Sequence, residues 1–159
     1  MGPLATTLAL GLGLALLAGC SDSVEVAKPA IEGADVKTCE ELVADAPEEL
    51  FGQERREVSG ASTTSAAWGD PAVLLECGAK APESFDVFSS CSEIDGIGWY
   101  MPDAQLKDQN SDIAITAESH SPRVTVTIPA QYRRNSPDVQ LGVLGELVGK
   151  HLKETKPCT

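Results

Sequence analysis

The chain has 159 residues, with 24 acidic side chains against 12 basic ones for a formal net charge of -12, and 42% of its residues are hydrophobic. That acidic excess excludes nucleic acid as a natural partner and gives no electrostatic reason to bind an anionic membrane surface. The length and apolar content suit one domain with a real core.

Leu4 to Gly19 is an uncharged run rich in Leu, Ala and Gly. It is shorter than the ~20 apolar residues that a spanning helix needs and reads as the apolar region of an export signal. It closes on Leu17-Ala18-Gly19-Cys20, a branched apolar residue and two small ones before a cysteine, which is the acceptor pattern of a bacterial lipoprotein signal. Residues 1–19 are therefore expected to be a signal peptide and Cys20 the lipidated N-terminus on the outer face of the cytoplasmic membrane. Two or more acyl chains, at ~0.8 kcal/mol per buried CH₂, anchor stably where one is marginal. The departure from the pattern is Met1-Gly2-Pro3, which carries no Lys or Arg. Residues 20–36 are polar and small, with Pro29 and Gly33 and no sustained periodicity, and are expected to form a flexible tether. Residues 37–159 are then the single globular domain.

Thr38-Cys39-Glu40-Glu41 reads as a capping box opening a short helix that ends at Pro47. Helical spacing puts Cys39, Leu42, Val43 and Ala46 on its buried face. Five strand-like runs follow, at about 62–68, 72–77, 97–101, 113–117 and 123–128. Alternation groups Val73, Leu75 and Cys77, then Ile97, Trp99 and Met101, then Ile113, Ile115 and Ala117, then Val124, Val126 and Ile128. The opposite faces are polar, with Glu76, Thr116, Glu118, Arg123, Thr125 and Thr127, as in an antiparallel sheet that is packed on one side. Gly69-Asp70-Pro71 supplies the turn between the first two strands. A last helix starts at Pro137 after a Ser136 cap and runs to about Glu154, with Leu141, Leu144, Leu147, Val148 and Leu152 on one stripe. Gly142, Gly145 and Gly149 cost it ~1 kcal/mol each, a cost that close approach to the sheet would offset. The expected fold is α+β: an antiparallel sheet of about five strands with the N-terminal and C-terminal helices on one face.

Four cysteines remain after Cys20, namely Cys39, Cys77, Cys91 and Cys158. An even number in an exported chain implies two disulfides, and no pair has C-x-x-C spacing. Loop-closure entropy does not choose the connectivity: Cys39/Cys77 with Cys91/Cys158 contributes about 8 kcal/mol, and Cys77/Cys91 with Cys39/Cys158 about the same. Placement favours the first, because Cys39 and Cys77 both face inward, and Cys91/Cys158 follows by elimination.

The succession Cys39-x-x-Leu42, Trp68-Gly69-Asp70-Pro71-Ala72-Val73 into Cys77-Gly78, Asp95-Gly96-Ile97-Gly98-Trp99, and Val124-x-Val126-x-Ile128-Pro129 before a final helix resembles the actinobacterial lipoproteins of domain-of-unknown-function family 3515. The resemblance spans residue 36 to the last helix. It implies an exported, membrane-associated protein of high-G+C Gram-positive bacteria, favours the Cys39/Cys77 bridge and supplies no activity. Cys91 and Cys158 are additions to the family pattern, and His120 stands where relatives tend to carry an arginine.

Signs of chemistry are few. The two histidines are far apart; His151 suits a helix C-terminus as a cation, and His120 sits in Ser119-His120-Ser121-Pro122 as a turn or sheet-rim residue. Asp108-Gln109-Asn110-Ser111-Asp112 imitates the start of a calcium loop, but Ile113 and Ser119 hold the positions that need Gly and a bidentate acid, so it reads as a hairpin turn. Arg55-Arg56 and Arg133-Arg134 read as solvated charge runs in loops. Trp68 and Trp99 are expected to pack in the core. No catalytic residue, metal ligand or cofactor is assigned. The expected function is a non-catalytic envelope lipoprotein, held to the membrane by the lipid on Cys20, that binds or scaffolds an envelope protein partner. The alternatives are a small-molecule or lipid carrier with an apolar cavity of several hundred Å³, and an envelope enzyme with a site around His120, Arg123 and nearby acids.

Overall fold

The computed structural model describes residues 23–29, 31–61, 63–86 and 88–156; the expected signal peptide, Cys20 and Cys158 lie outside them. In chain order the elements are β1 (Val24–Val26), α1 (Ala34–Ala44), β2 (Glu49–Leu50), β3 (Gln53–Arg56), β4 (Val58–Gly60), β5 (Ser65–Trp68), β6 (Val73–Cys77), β7 (Ser92–Ile94), β8 (Ile97–Tyr100), α2 (Asp103–Lys107), β9 (Ile113–Ala117), β10 (His120–Ser121), β11 (Val124–Ile128), α3 (Pro137–His151) and β12 (Lys153–Glu154). Eight strands form one antiparallel sheet in the order β2-β3-β5-β6-β11-β9-β8-β7, while β1 pairs parallel with β4 and β10 pairs with β12. The fold is thus mixed α and β, as expected, but the sheet has eight strands instead of about five.

The inner face is built by alternation. Across β6, β11, β9 and β8 one row reads Cys77, Val124, Ala117 and Trp99, in register. The small Ala117 beside Trp99 leaves room for the indole, and all four residues are fully buried. A second row, Ala66, Leu75, Val126 and Ile115, lies alongside. Cys39, Leu42 and Val43 of α1 and Leu141, Leu144, Leu147 and Val148 of α3 join the same buried cluster. The Cys39–Cys77 disulfide links α1 to the end of a central strand, with Cα atoms 5.4 Å apart. Trp68 is fully buried, and its indole N–H donates to the Pro47 carbonyl at 2.8 Å.

Several expectations are corrected. The two outermost strands on one side, β2 and β3, come from Glu49–Arg56, whose charges read as loop. Arg55 is no solvated charge: its Nη1 donates to the Ala46 carbonyl and its Nη2 to Val43, satisfying carbonyls that the end of α1 leaves open. On the other side β7 and β8 form a hairpin through Asp95 and Gly96, at φ 50° and 77°, the left-handed pair that a two-residue turn demands. Helix α1 starts at Ala34 after Gly33, so Thr38 lies inside it and does not open it. Val24–Val26 and the first residues of α1 fall within the stretch read as a tether, because pairing with β4 gives that short polar segment backbone partners. Helix α3 ends at His151, and Lys153–Glu154 turn back as a strand beside His120–Ser121. Ser136 makes no side-chain cap. The helical glycines do allow close approach: a Cβ on Gly145 would lie 3.3 Å from that of Asp95. Of the two expected disulfides, Cys39–Cys77 is the one closed among the described residues; Cys91 is also disulfide-bonded.

The bridge closes a loop with a sequence separation of 38, for which chain entropy contributes roughly 4 kcal/mol. The double variant Cys39→Ala/Cys77→Ala is expected to lose about that much stability in urea denaturation, with the far-ultraviolet spectrum of the native state retained.

Candidate functional site

Opposite the helices, one row of polar side chains crosses five strands. Ser65 pairs with Glu76, Glu76 with Thr125, Thr125 with Thr116, and Thr116 with Tyr100. The Thr116 and Thr125 hydroxyls are 3.0 Å apart, a cross-strand contact of the kind that fixes register. At the β8 end the row is covered. Tyr100 donates its hydroxyl to the Ser84 carbonyl at 2.9 Å, and the Phe85 ring meets it edge-on, with centroids 5.0 Å apart. The middle of the row lies at the bottom of a groove of about 520 Å³, bounded by Ala27, Lys28 and Pro29 and by the chain from Gly78 to Pro82.

The sequence builds this groove at one residue pair. Cys77 is held inward by its disulfide, and Gly78, at φ 86°, turns the next segment onto the outer face. That positive φ strains any L side chain, and a Cβ there would lie 2.7 Å from Ile31 Cδ1 and force that side chain to move. Gly78 N donates to the Arg123 carbonyl at 2.8 Å, which secures the exit.

Glu76 is half-buried on the groove floor, and desolvation pushes its carboxyl above the ordinary value. Among the described residues, neither Glu76 nor the groove-lining Lys28 and Lys80 belongs to an ion pair. A half-buried carboxylate and two exposed ammonium groups thus share one recess.

The next residues along β9 and β11 hold a buried charge pair. The Glu118 carboxylate is fully buried, and Arg123 Nε lies 2.9 Å from its Oε1. Neither that nitrogen nor either carboxylate oxygen has an aligned hydrogen-bond partner, so the attraction is coulombic. Arg123 also lines a second cleft together with Lys80. Beside them Ser119 Oγ is 2.7 Å from His120 Nδ1 and accepts the Gly98 amide at 2.9 Å. Ser119 and His120 are buried, and β12 pairs alongside His120. Burial pushes the imidazole below its ordinary value, and the charge of Glu154 opposes that shift. The serine and the ring hold strand ends together.

Other sequence candidates have packing roles. Asp45, exposed at the end of α1, takes Lys150 Nζ at 2.6 Å and His151 Nε2 at 2.9 Å; those two hydrogen bonds, that of Lys150 first, hold its carboxyl below the ordinary value. His151 therefore joins two helix ends. Asp108–Asp112 follows α2 and is no simple hairpin turn. Arg133, read as solvated, donates to the carbonyls of Asp108 at 2.6 Å, Ser111 at 2.9 Å and Gln105 at 2.9 Å, so a guanidinium ties the loop down, while Asp108 Oδ1 and Asp112 Oδ1 accept the Asn110 and Ala130 amides. Sheet and helices share one continuous cluster of buried apolar side chains. The apolar recess beside α2, with Phe51, Met101, Leu106 and Leu141 in its wall, is about 190 Å³, below the ~300 Å³ at which ligand pockets begin.

A family model described as "Protein of unknown function (DUF3515)" matches residues 3–157. The chain belongs to the DUF3515 family. Comparison with curated proteins and with solved structures gives no match. In this DUF3515 chain the Cys39/Cys77 pairing that the sequence resemblance favoured is formed. Its Trp68-Gly69-Asp70-Pro71 segment makes the turn from β5 into β6, the strand that carries Glu76 to the groove floor and ends at Cys77.

Because burial raises the Glu76 carboxyl relative to the unfolded chain, its contribution to stability is present below the unfolded value and is lost as pH rises through the folded one. Glu76→Gln is expected to raise the melting temperature at neutral pH and to leave it unchanged in acid, where the wild-type carboxyl is protonated in both states; calorimetry in matched buffers reads the difference.

Proposed function

We propose that this DUF3515 protein is an envelope lipoprotein, anchored through Cys20 on the outer face of the cytoplasmic membrane, whose folded domain is a non-catalytic binding module. The polar face of the sheet is its working surface. The observation that carries the reading is the contrast between the two faces. Two helices close the inner face over a continuous apolar core, whereas the outer face keeps a half-buried Glu76, with no ion-pair partner among the described residues, at the bottom of an open groove. Burying a charge without a partner is costly, and a charged or hydrogen-bonding ligand relieves that cost. The small volume of the apolar recess disfavours a carrier of apolar molecules. The buried Ser119 and His120 give an enzymatic reading no accessible nucleophile or base.

Anchoring follows from the Leu17-Ala18-Gly19-Cys20 pattern, and an envelope protein is the partner class expected at that location. Cys20→Ala is expected to move the folded domain from the membrane fraction to the soluble exported fraction. In intact cells, a photo-crosslinking side chain at Ala79 should capture a partner that is lost with Lys80→Glu, while the same side chain at the exposed Val139 of α3 should capture none. Capture from Val139 and none from Ala79 would move the working surface to the helices.

A further inference from the structure

The groove poses a specific charge problem. Glu76 sits in the row between Ser65 and Thr125, and Lys28 and Lys80 line the same recess. The cations and the carboxylate share about 520 Å³, yet within the described residues they form no ion pair with one another.

Resting on the outer-face reading above, we propose that the groove binds a small zwitterionic group, its primary ammonium against Glu76 and the Thr125 hydroxyl, its carboxylate or phosphate against Lys28 and Lys80. A simple anion would satisfy the lysines and be repelled by Glu76. A metal ion meets one carboxylate here; no cluster of three acidic, cysteine or histidine side chains stands among the described residues. A neutral sugar would leave the charges unpaired and finds no aromatic ring in the wall. A molecule carrying both charges neutralises both sets at once, through charge-assisted hydrogen bonds stronger than neutral ones. The volume falls within the ~300–1,000 Å³ typical of small-ligand sites.

Desolvation already holds the Glu76 carboxyl high, and an ammonium against it favours the ionised form. Affinity should therefore fall as pH drops through the raised carboxyl range. The charged groups that line the groove with Glu76 are Lys28 and Lys80.

The same chemistry occurs at the ends of a free dipeptide and in an ethanolamine phosphate headgroup. The test is calorimetric titration of the full-length protein in detergent micelles with four probes: dialanine, N-acetyl-dialanine, dialanine amide and phosphoethanolamine. Saturable binding of dialanine or phosphoethanolamine is expected. Blocking the amine, or making Glu76→Gln, should weaken dialanine by about ten- to a hundredfold, and the two changes together should weaken it no further than either alone. Lys80→Ala should remove the preference for dialanine over its amide. Vesicles of phosphatidylethanolamine against phosphatidylcholine separate the sources, since preferential retention of the Cys20→Ala protein on the former assigns a lipid headgroup and equal retention assigns a soluble ligand. Glu76→Gln changes no volume, and an undiminished melting temperature shows that it folds. No heat from either zwitterion, or affinity indifferent to the blocked amine and to Glu76→Gln, overturns the proposal. Crosslinking from Ala79 that persists in that case would leave the outer-face reading standing with a different ligand.

Discussion

The bond between Cys39 and Cys77 is the constraint on which both faces of the molecule depend. It lies in the buried row that runs from Cys77 through Val124 and Ala117 to Trp99, and it pins α1 to the end of β6. With Cys77 held inward, the next residue must carry the chain to the other side. Gly78 does so through a left-handed backbone angle, under an Ile31 side chain that a Cβ there would displace. Packing on the helix side and the recess on the polar side are consequences of the same two residues.

The two faces differ in what they leave unsatisfied. On the helix side apolar burial is complete, and the carbonyls at the end of α1 are met by Arg55. On the polar side, threonine hydroxyls pair with each other and Tyr100 reaches Ser84, but the charges of Glu76, Lys28 and Lys80 stay apart. Glu118 shows the alternative: a buried carboxylate on the same face that is matched by Arg123 at 2.9 Å. The chain can therefore compensate a buried acid on this face, and one residue row away it does not.

Much of this was legible in the sequence wherever a strict period was present. Val73, Leu75 and Cys77, and Val124, Val126 and Ile128, alternate as read, and Glu76, Thr116 and Thr125 were recognisable as outer-face residues. The extra strands were hidden because tertiary contacts override composition. Arg55 and Arg56 look solvated until the carbonyls they reach are known, and Val24–Val26 is a strand only because β4 lies beside it. The Asp95-Gly96 hairpin was readable from its turn chemistry and was missed. Thr38 misled because a capping box also occurs inside a helix that began a turn earlier. The groove itself was not legible, since its floor follows from alternation but its walls are loops, Gly78–Pro82 turned outward at Gly78 and Ala27–Pro29 carried in by the pairing of β1 with β4.

Hydrogen–deuterium exchange on the protein in its native membranes, compared with the purified protein, tests most directly whether the polar face is where this molecule meets its ligand. Added protection confined to Ala27–Pro29, Gly78–Pro82 and the strands β6 and β11 is the predicted result. Protection confined to the exposed side of α3, with the groove exchanging equally in both settings, would contradict the account.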